Sequence, residues 1–448
     1  MSDFTESSNN DPPALAYYKQ ARDAYDQGEL EYAEELCRKA AELYEQAGDD
    51  EVATTYVGLG SITKQKGDLD AAEKWYRKSL EVYERIGNEQ GTARTYLALS
   101  NVAYDREAFE AAEEWALKSI PIIEKQGDET DGTLLYNQRD RASLYYQLGR
   151  IVYQRGNTDA AEKWYLKSLE IDEKNGNELG AAKTYHCLSL VANRRGDFKS
   201  AEKWLWKSIH INEKEGDEIR ATAGYHQLGV VADRRQDLDA AEEWYRKSLE
   251  VYERIGNEQG TARTYLDLSN VALNREDYET AEKWALKSIH FNEKQGNEIG
   301  MADCFRHLGL LAHGKGDFEA AEEWHFKALE ICKKKLNDEI GRANSNLSDV
   351  EGSCYEWLGY LARQQSEIEA ARKWYEKAFE TYEKLGVMDH AASCCTNLGE
   401  IDGQGHDFEL AKKWFRKSLE IDDNANWRDR LALYGQLWRY TFLSIFSK

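Results

Sequence analysis

Proline is nearly missing: 448 residues carry three. Proline breaks helix interiors, so a chain this poor in it can run helix after helix with few enforced stops. An excess of positive charge is missing too. Lys plus Arg number 59 against 82 Asp plus Glu, a formal charge of −23. Whole-surface attraction to nucleic acid or to an anionic membrane needs a positive footprint, so neither partner is expected. No apolar run approaches the roughly 18 residues of a membrane-spanning helix. The opening "MSDFTESSNNDPP" lacks the basic and apolar regions of a secretory signal, and residues 1–13 read as a disordered polar leader. The seven cysteines (37, 187, 304, 332, 354, 394 and 395) are odd in number, irregular in spacing and without a CxxC pair. That usage points to reduced packing thiols and a cytoplasmic protein.

Motifs that carry chemistry are absent as well. There is no GxxxxGK-S/T phosphate loop, no HExxH and no glycine-rich strand-to-helix turn. Cys304 and His307 stand at i, i+3 with no visible third ligand, so no metal is expected. No paired set of acids and bases stands apart from the rest. The expectation is a non-enzyme with no cofactor.

What is present is a period. Trp75, Trp115, Trp164, Trp204, Trp244, Trp284, Trp324, Trp374 and Trp414 follow one another at intervals of 40, 49, 40, 40, 40, 40, 50 and 40 residues, and Leu36 holds the same slot 39 residues before the first. Ten units of fixed period signal a solenoid. Each unit shows two amphipathic helical patterns. Tyr185, Leu188, Ser189 and Ala192 lie at i, i+3, i+4, i+7 in the first, and Ala201, Trp204, Leu205, Ser208 and Ile209 share a face in the second. Gly-Asp pairs such as Gly196-Asp197 separate the two, and glycines such as Gly216 and Gly256 follow the second. Two linkers, near 128–143 and 333–352, carry nine and ten extra residues. Two readings fit them: tolerated insertions, or first helices that extend and protrude on one edge. Residues 68–120 and 237–289 differ at eight of 53 positions, the mark of a duplication within the array.

Tyr225, Leu228, Gly229 and Ala232 on the first helix, with Ala241 and Ser248 on the second, make the unit resemble the tetratricopeptide repeat. The 40-residue length is similar to the subclass of the LGN mitotic adaptor and kinesin light chains, and the idiom is similar to bacterial arrays fused to effector modules. The resemblance implies an all-α, right-handed α-solenoid of about ten helix pairs over residues 14–422, closed by a capping helix at 427–446. It implies a protein-binding adaptor or regulator, with a ligand-responsive switch acting on an effector enzyme as the alternative.

In that family the first helices line the concave groove. Counting the tyrosine slot as position 4, positions 2, 5, 9, 12 and 13 face inward. They hold ten basic residues (Arg22, Lys64, Arg94, Arg150, Lys183, Arg194, Arg234, Arg263, Arg306 and Arg363) and six acids (Asp26, Asp105, Asp233, Asp303, Glu356 and Glu400), a balance of ten minus six, or +4. Asn193, His226 and His313 join the same face, and Asn101 and Asn270 match the Leu-Gly-Asn motif of LGN-type repeats as Leu-Ser-Asn. A groove of opposite sign to its surroundings focuses field onto an acidic or extended protein segment. Trp438, Phe442 and Phe446 on the last helix are more apolar than a cap requires and suggest a second contact, by self-association or with a partner.

Overall fold

A helix leaves its first N–H groups and last C=O groups without partners, and at many of its turns this sequence supplies both remedies. Gly48, Gly87, Gly256, Gly296 and Gly386 cap second helices in the left-handed conformation, at φ between 64° and 71°. The next residues then cap the following helix: Asn88 accepts from the Gly91 N–H and Asn257 from the Gly260 N–H, at 2.9 and 3.0 Å. The turn inside each repeat works the same way, with Gly67 at φ 86° and Asp68 accepting from the Ala71 N–H at 2.9 Å.

The computed structural model describes residues 12–125, 134–336, 345–421 and 427–446, with side chains left out at 125, 134–137, 345–346, 427–431 and 444–446. Among the described residues there are 21 helices and no strand. They are α1 (Pro13–Asp26), α2 (Leu30–Ala47), α3 (Val52–Gln65), α4 (Leu69–Ile86), α5 (Glu89–Asp105), α6 (Phe109–Lys125), α7 (Leu134–Gln154), α8 (Thr158–Lys174), α9 (Glu178–Arg194), α10 (Phe198–Lys214) and α11 (Glu218–Arg234). Then come α12 (Leu238–Ile255), α13 (Glu258–Asn274), α14 (Tyr278–Gln295), α15 (Glu298–Gly314), α16 (Phe318–Leu336), α17 (Ser345–Gln364), α18 (Ile368–Leu385), α19 (Met388–Gln404), α20 (Phe408–Ile421) and α21 (Trp427–Phe446). The chain divides into two compact units, Met1–Gly224 and Tyr225–Lys448. Within each, consecutive helices pack in series, as in a solenoid. Backbone contacts also join alternate first helices, α3 with α5, α7 with α9 and α13 with α15, so the first helices form the tighter layer.

Much of the sequence expected as linker is helix. Residues 134–143 lengthen α7 to 21 residues and 345–352 lengthen α17 to 20. With Leu336 in place of a closing glycine, α16 runs on to that residue. The expected linker segments 126–133 and 337–344 lie outside the described residues, as do residues 1–11 of the expected leader, whereas Pro13 already belongs to α1.

The tryptophan series proves half-buried. From Trp75 to Trp374 each ring stacks on the aromatic residue in the tyrosine slot of its own repeat (Tyr185–Trp204 at 5.4 Å, Tyr265–Trp284 at 5.4 Å), and a lysine three residues on covers it (Lys207 at 5.0 Å, Lys287 at 4.6 Å); Trp414 instead meets Phe379 edge-on. The fully buried residue is the next one. Tyr76, Tyr165, Tyr245, Tyr375 and Phe415 press on Gly60, Gly149, Gly229, Gly359 and Gly399, where an added Cβ would come within 2.6–3.0 Å of the ring. Where the first helix carries Ser100, Ser189 or Ser269 instead of glycine, the partner shrinks to Ala116, Leu205 or Ala285. In one repeat the aromatic slot holds His325, fully buried against Gly309 with both ring nitrogens unpartnered. Burial, then the nearby Arg306 and His313, push its pKa down to about 3. Burial and Arg306 likewise hold His307 at about 4.

Two predictions follow from this packing. Gly229→Ser overfills the contact with Tyr245 and should cost about 1–3 kcal/mol, whereas Gly229→Ser combined with Tyr245→Ala copies the native Ser269/Ala285 pair. Denaturant unfolding should give a coupling of at least about 1 kcal/mol in the double-mutant cycle, and additivity would show that the pair is not complementary. The second concerns acid. His307 and His325 are neutral when folded but protonate near pH 6.5 when unfolded, so the unfolded state binds more protons below that pH. Stability should therefore fall as pH drops from about 6.5 toward 4. His325→Phe, which copies Phe415 against Gly399, should flatten that fall, read as hydrogen exchange over 298–336 at pH 7 and pH 5.

Candidate functional site

Contacts between neighbouring first helices tie the polar face of the first unit together. Arg94 on α5 reaches Asp140 on α7 at 3.2 Å, and burial holds the Asp140 carboxyl above its ordinary range despite that guanidinium. Asn101 accepts a hydrogen bond from Gln147 Nε2 at 2.6 Å. Arg150 lies over the Tyr104 ring at 4.2 Å. Arg194 donates to the Tyr153 carbonyl at 2.8 Å and covers that ring at 4.6 Å. Asn193 is buried beside it in the chain.

The second unit is built alike with different partners. His226, buried, sits 2.7 Å from Asp267 and 5.4 Å from the Tyr245 ring. Asp233 is raised by burial and then by the Asp267 charge. Arg306 pairs with Asp303 on its own turn at 2.6 Å. His313 packs among Phe318, Trp357 and Tyr360, with ring centroids 5.7, 5.1 and 5.2 Å away, and burial lowers its pKa. Arg363 donates to Glu400 at 2.8 Å and to Asn397 at 3.2 Å. Arg234 is exposed at the end of α11.

These pairs correct one expectation. Four of the ten inward cations are not free charge: Lys64, Arg94, Arg306 and Arg363 are ion-paired with Asp105, Asp140, Asp303 and Glu400. A carboxylate within reach is the better partner for each, so attraction to an anionic guest is local. Lys183 and Arg263 are exposed and, among the described residues, form neither hydrogen bond nor ion pair.

The duplicated Arg-Asn pairs also part company. Arg94 and Asn101 are both engaged, whereas Asn270, like Arg263, has no hydrogen bond among the described residues. The next helix explains the difference. Gly300 stands where α7 has Asp140, and His307, in the Gln147 slot, turns to Ser269 at 2.8 Å.

At the C-terminus, Tyr440 is buried on Phe415 at a centroid distance of 5.7 Å, so this residue serves the cap. Trp438 and Phe442 stay 77% and 61% exposed, and the Phe446 side chain lies outside the described residues. Cys304 turns to Ser288 and Asn292 while His307 takes Ser269, so the two candidate ligands diverge. Burial raises the thiols, Cys37 and Cys395 to about 12.

Sequence reasoning missed the His226–Asp267 pair. Asp267 is the single change between "GNEQGTARTYLALSNVA" at 87–103 and its copy at 256–272, and at the same 169-residue offset His226 replaces Val57. Both halves of the pair changed together, which was the available signal.

The tetratricopeptide repeat family profile matches residues 12–85, 51–125, 140–214, 220–294 and 353–424, and a second tetratricopeptide repeat profile matches 301–339. No curated protein matches the chain. Among solved structures it is similar to a Rap protein complexed with Competence and Sporulation Factor, at 13% identity over 83% of this chain and 98% of that one, with a TM-score of 0.54. It is similar also to aspartyl phosphate phosphatase F from Bacillus subtilis, at 11% identity over 85% and 96% of the two chains and a TM-score of 0.52. At such identities the likeness is one of fold. With repeat matches over most of its length, the chain belongs to the tetratricopeptide repeat family.

Proposed function

We propose that this protein is a non-enzymatic cytoplasmic adaptor that holds an extended protein segment against the polar faces of its first helices. One observation carries the reading: polar side chains on several first helices are already ordered by contacts with the neighbouring repeat. The Arg94–Asp140, Gln147–Asn101 and Arg194–Tyr153 contacts in the first unit and Arg363–Glu400 in the second are its members. Side chains fixed before binding lose little entropy when a guest arrives, which raises affinity without new contacts. An extended segment offers a donor and an acceptor at every residue, which suits a face of amides, guanidinium edges and aromatic rings. Family membership supports the reading, and so does the fold shared with a Rap protein that has been crystallised in complex. Four of the ten inward cations already have carboxylate partners, so hydrogen bonding along the face works beside net charge in recognition.

The test is affinity capture with the full chain, comparing wild type, Arg194→Glu with Arg363→Glu, and an outer-face control, Lys199→Glu. The expected result is a captured protein whose recovery falls at least tenfold with the inner-face pair and is unchanged with the control, all three melting alike. Equal recovery by all three would overturn the proposal. Small-angle scattering of the purified complex should keep the free protein's dimensions, whereas marked compaction would identify a switch in place of an adaptor.

A further inference from the structure

The second helices share a ridge of solvent-facing side chains, and one repeat breaks its rule. The slot five residues before the tryptophan slot holds an acid in nine of the ten units, among them Asp70, Asp159, Asp239 and Glu319. A carboxylate belongs there, because the slot falls in the first turn of the helix, at the positive end of its dipole. In α10 that slot holds Lys199, and the first turn carries no acid. The slot six residues after the tryptophan slot is glutamate in seven units and His210 in α10. As a result Lys199, Lys203, Trp206, Lys207 and His210, at i, i+4, i+7, i+8 and i+11, form one exposed helix face with no carboxylate in it.

The preceding second helix, α8, extends this face. In several repeats the residue two after the tryptophan reaches the tryptophan of the next repeat: Arg77 lies over Trp115 at 5.4 Å, Arg246 over Trp284 at 5.5 Å, and Phe326 meets Trp374 edge-on at 5.9 Å. The same slot holds Leu166 in α8 and Trp206 in α10, 43% and 45% exposed. Lys163 and Lys167 flank Leu166 in the chain and are exposed as well. None of these five lysines forms an ion pair among the described residues, although acids outnumber cations in this chain. Of the α8 acids, Asp159 and Glu162 are held by Arg195, Asp172 by Asn177 and Glu173 by the Tyr185 hydroxyl, which leaves Glu170.

We infer that the solvent face of α8 and α10 docks a short acidic amphipathic helix of a partner protein, its apolar stripe on Leu166 and Trp206 and its flanking carboxylates on the lysines. Charge complementarity selects the acidic partner, and the extent of the face selects a short one. The next second helix back, α6, again presents exposed acids, Glu110 and Glu114, so a nucleic-acid strand or anionic membrane reaching past α8 would meet like charge. An amphipathic helix joins an apolar stripe to charged flanks, which is the pattern this face offers in mirror image. The site uses second helices where the adaptor reading uses first helices, and neither depends on the other.

Three labelled peptides of about 18 residues, or five helical turns, are titrated against the full chain: a leucine stripe with glutamate flanks, the same stripe with lysine flanks, and a scramble of the first. The glutamate peptide should bind at least tenfold tighter than either of the others. Lys199→Glu with Lys203→Glu, and separately Leu166→Ser with Trp206→Ser, should each weaken it at least tenfold. All four positions are exposed, and unchanged melting separates lost docking from lost fold. Arg194→Glu with Arg363→Glu should bind this peptide like wild type, so failure of one site leaves the other standing. No binding by wild type, equal binding of the lysine or scrambled peptide, or binding that survives either variant would overturn the inference. So would self-association of the protein, or its retention on phosphatidylserine vesicles, that Lys199→Glu with Lys203→Glu abolishes, since either result gives the face a different occupant.

Discussion

Everything in this protein depends on how closely two helices of one repeat can approach. The second helix thrusts an aromatic ring at the first, and the first answers with a glycine, leaving no room for even a methyl group. Interiors packed at crystal density transmit such a constraint along the whole seam. The consequence is visible in the exceptions: when the glycine becomes serine, the ring becomes Ala116, Leu205 or Ala285. In α21 Trp438 occupies the glycine position and stays exposed, too large a side chain for a ring to pack against it as Tyr245 packs against Gly229.

A second set of ties runs from repeat to repeat. The tyrosine that stacks on the tryptophan also donates its hydroxyl to a glutamate of the preceding second helix, Tyr96 to Glu84 at 2.8 Å and Tyr145 to Glu124 at 2.7 Å. In several repeats the basic residue ending the first helix bridges back to acids that open the preceding second helix, as Arg195 does to Asp159 and Arg275 to Asp239, both at 2.6 Å. Single exposed pairs contribute little, typically below about 1 kcal/mol. Repeated at several junctions, they place many acids of a −23 chain beside cations.

The period and the capping residues were legible in the sequence because each is a local rule repeated many times, whereas the size pairing of Gly with Tyr, or Ser with a smaller residue, emerged from the packing. The tryptophans were harder. A recurring large aromatic at helical spacing reads as core, yet the following residue, Tyr245 after Trp244, takes the interior, and the tryptophan spreads over the seam under Lys247. Partner identity was not legible at all. Position along a helix tells which face Arg94 and Arg263 share, but their fates are set by residues 46 and 37 positions on, Asp140 against Gly300. The lengthened α7 decides the matter, and a linker of unusual length does not announce whether it is loop or helix.

The duplicated segment shows how such an array acquires individuality without losing its frame. Between residues 87–103 and 256–272 one side chain differs, Ala98 becoming Asp267. In the first copy Ala98 and Val57 pack on the Ala72, Tyr76 and Leu80 cluster. In the second the corresponding pair is Asp267 and His226, bonded at 2.7 Å in a nearly enclosed site. A carboxylate there opposite valine would be desolvated without a partner, and a histidine opposite alanine would lose its acceptor; each change alone is costly and the two together are tolerated. The same logic governs Asp217 and Arg220, where two substitutions in one turn pair with each other. There, however, a third residue, Asn212, was left without its donor. A repeat protein diverges by compensated pairs, because a stacked frame tolerates a buried charge only beside its partner.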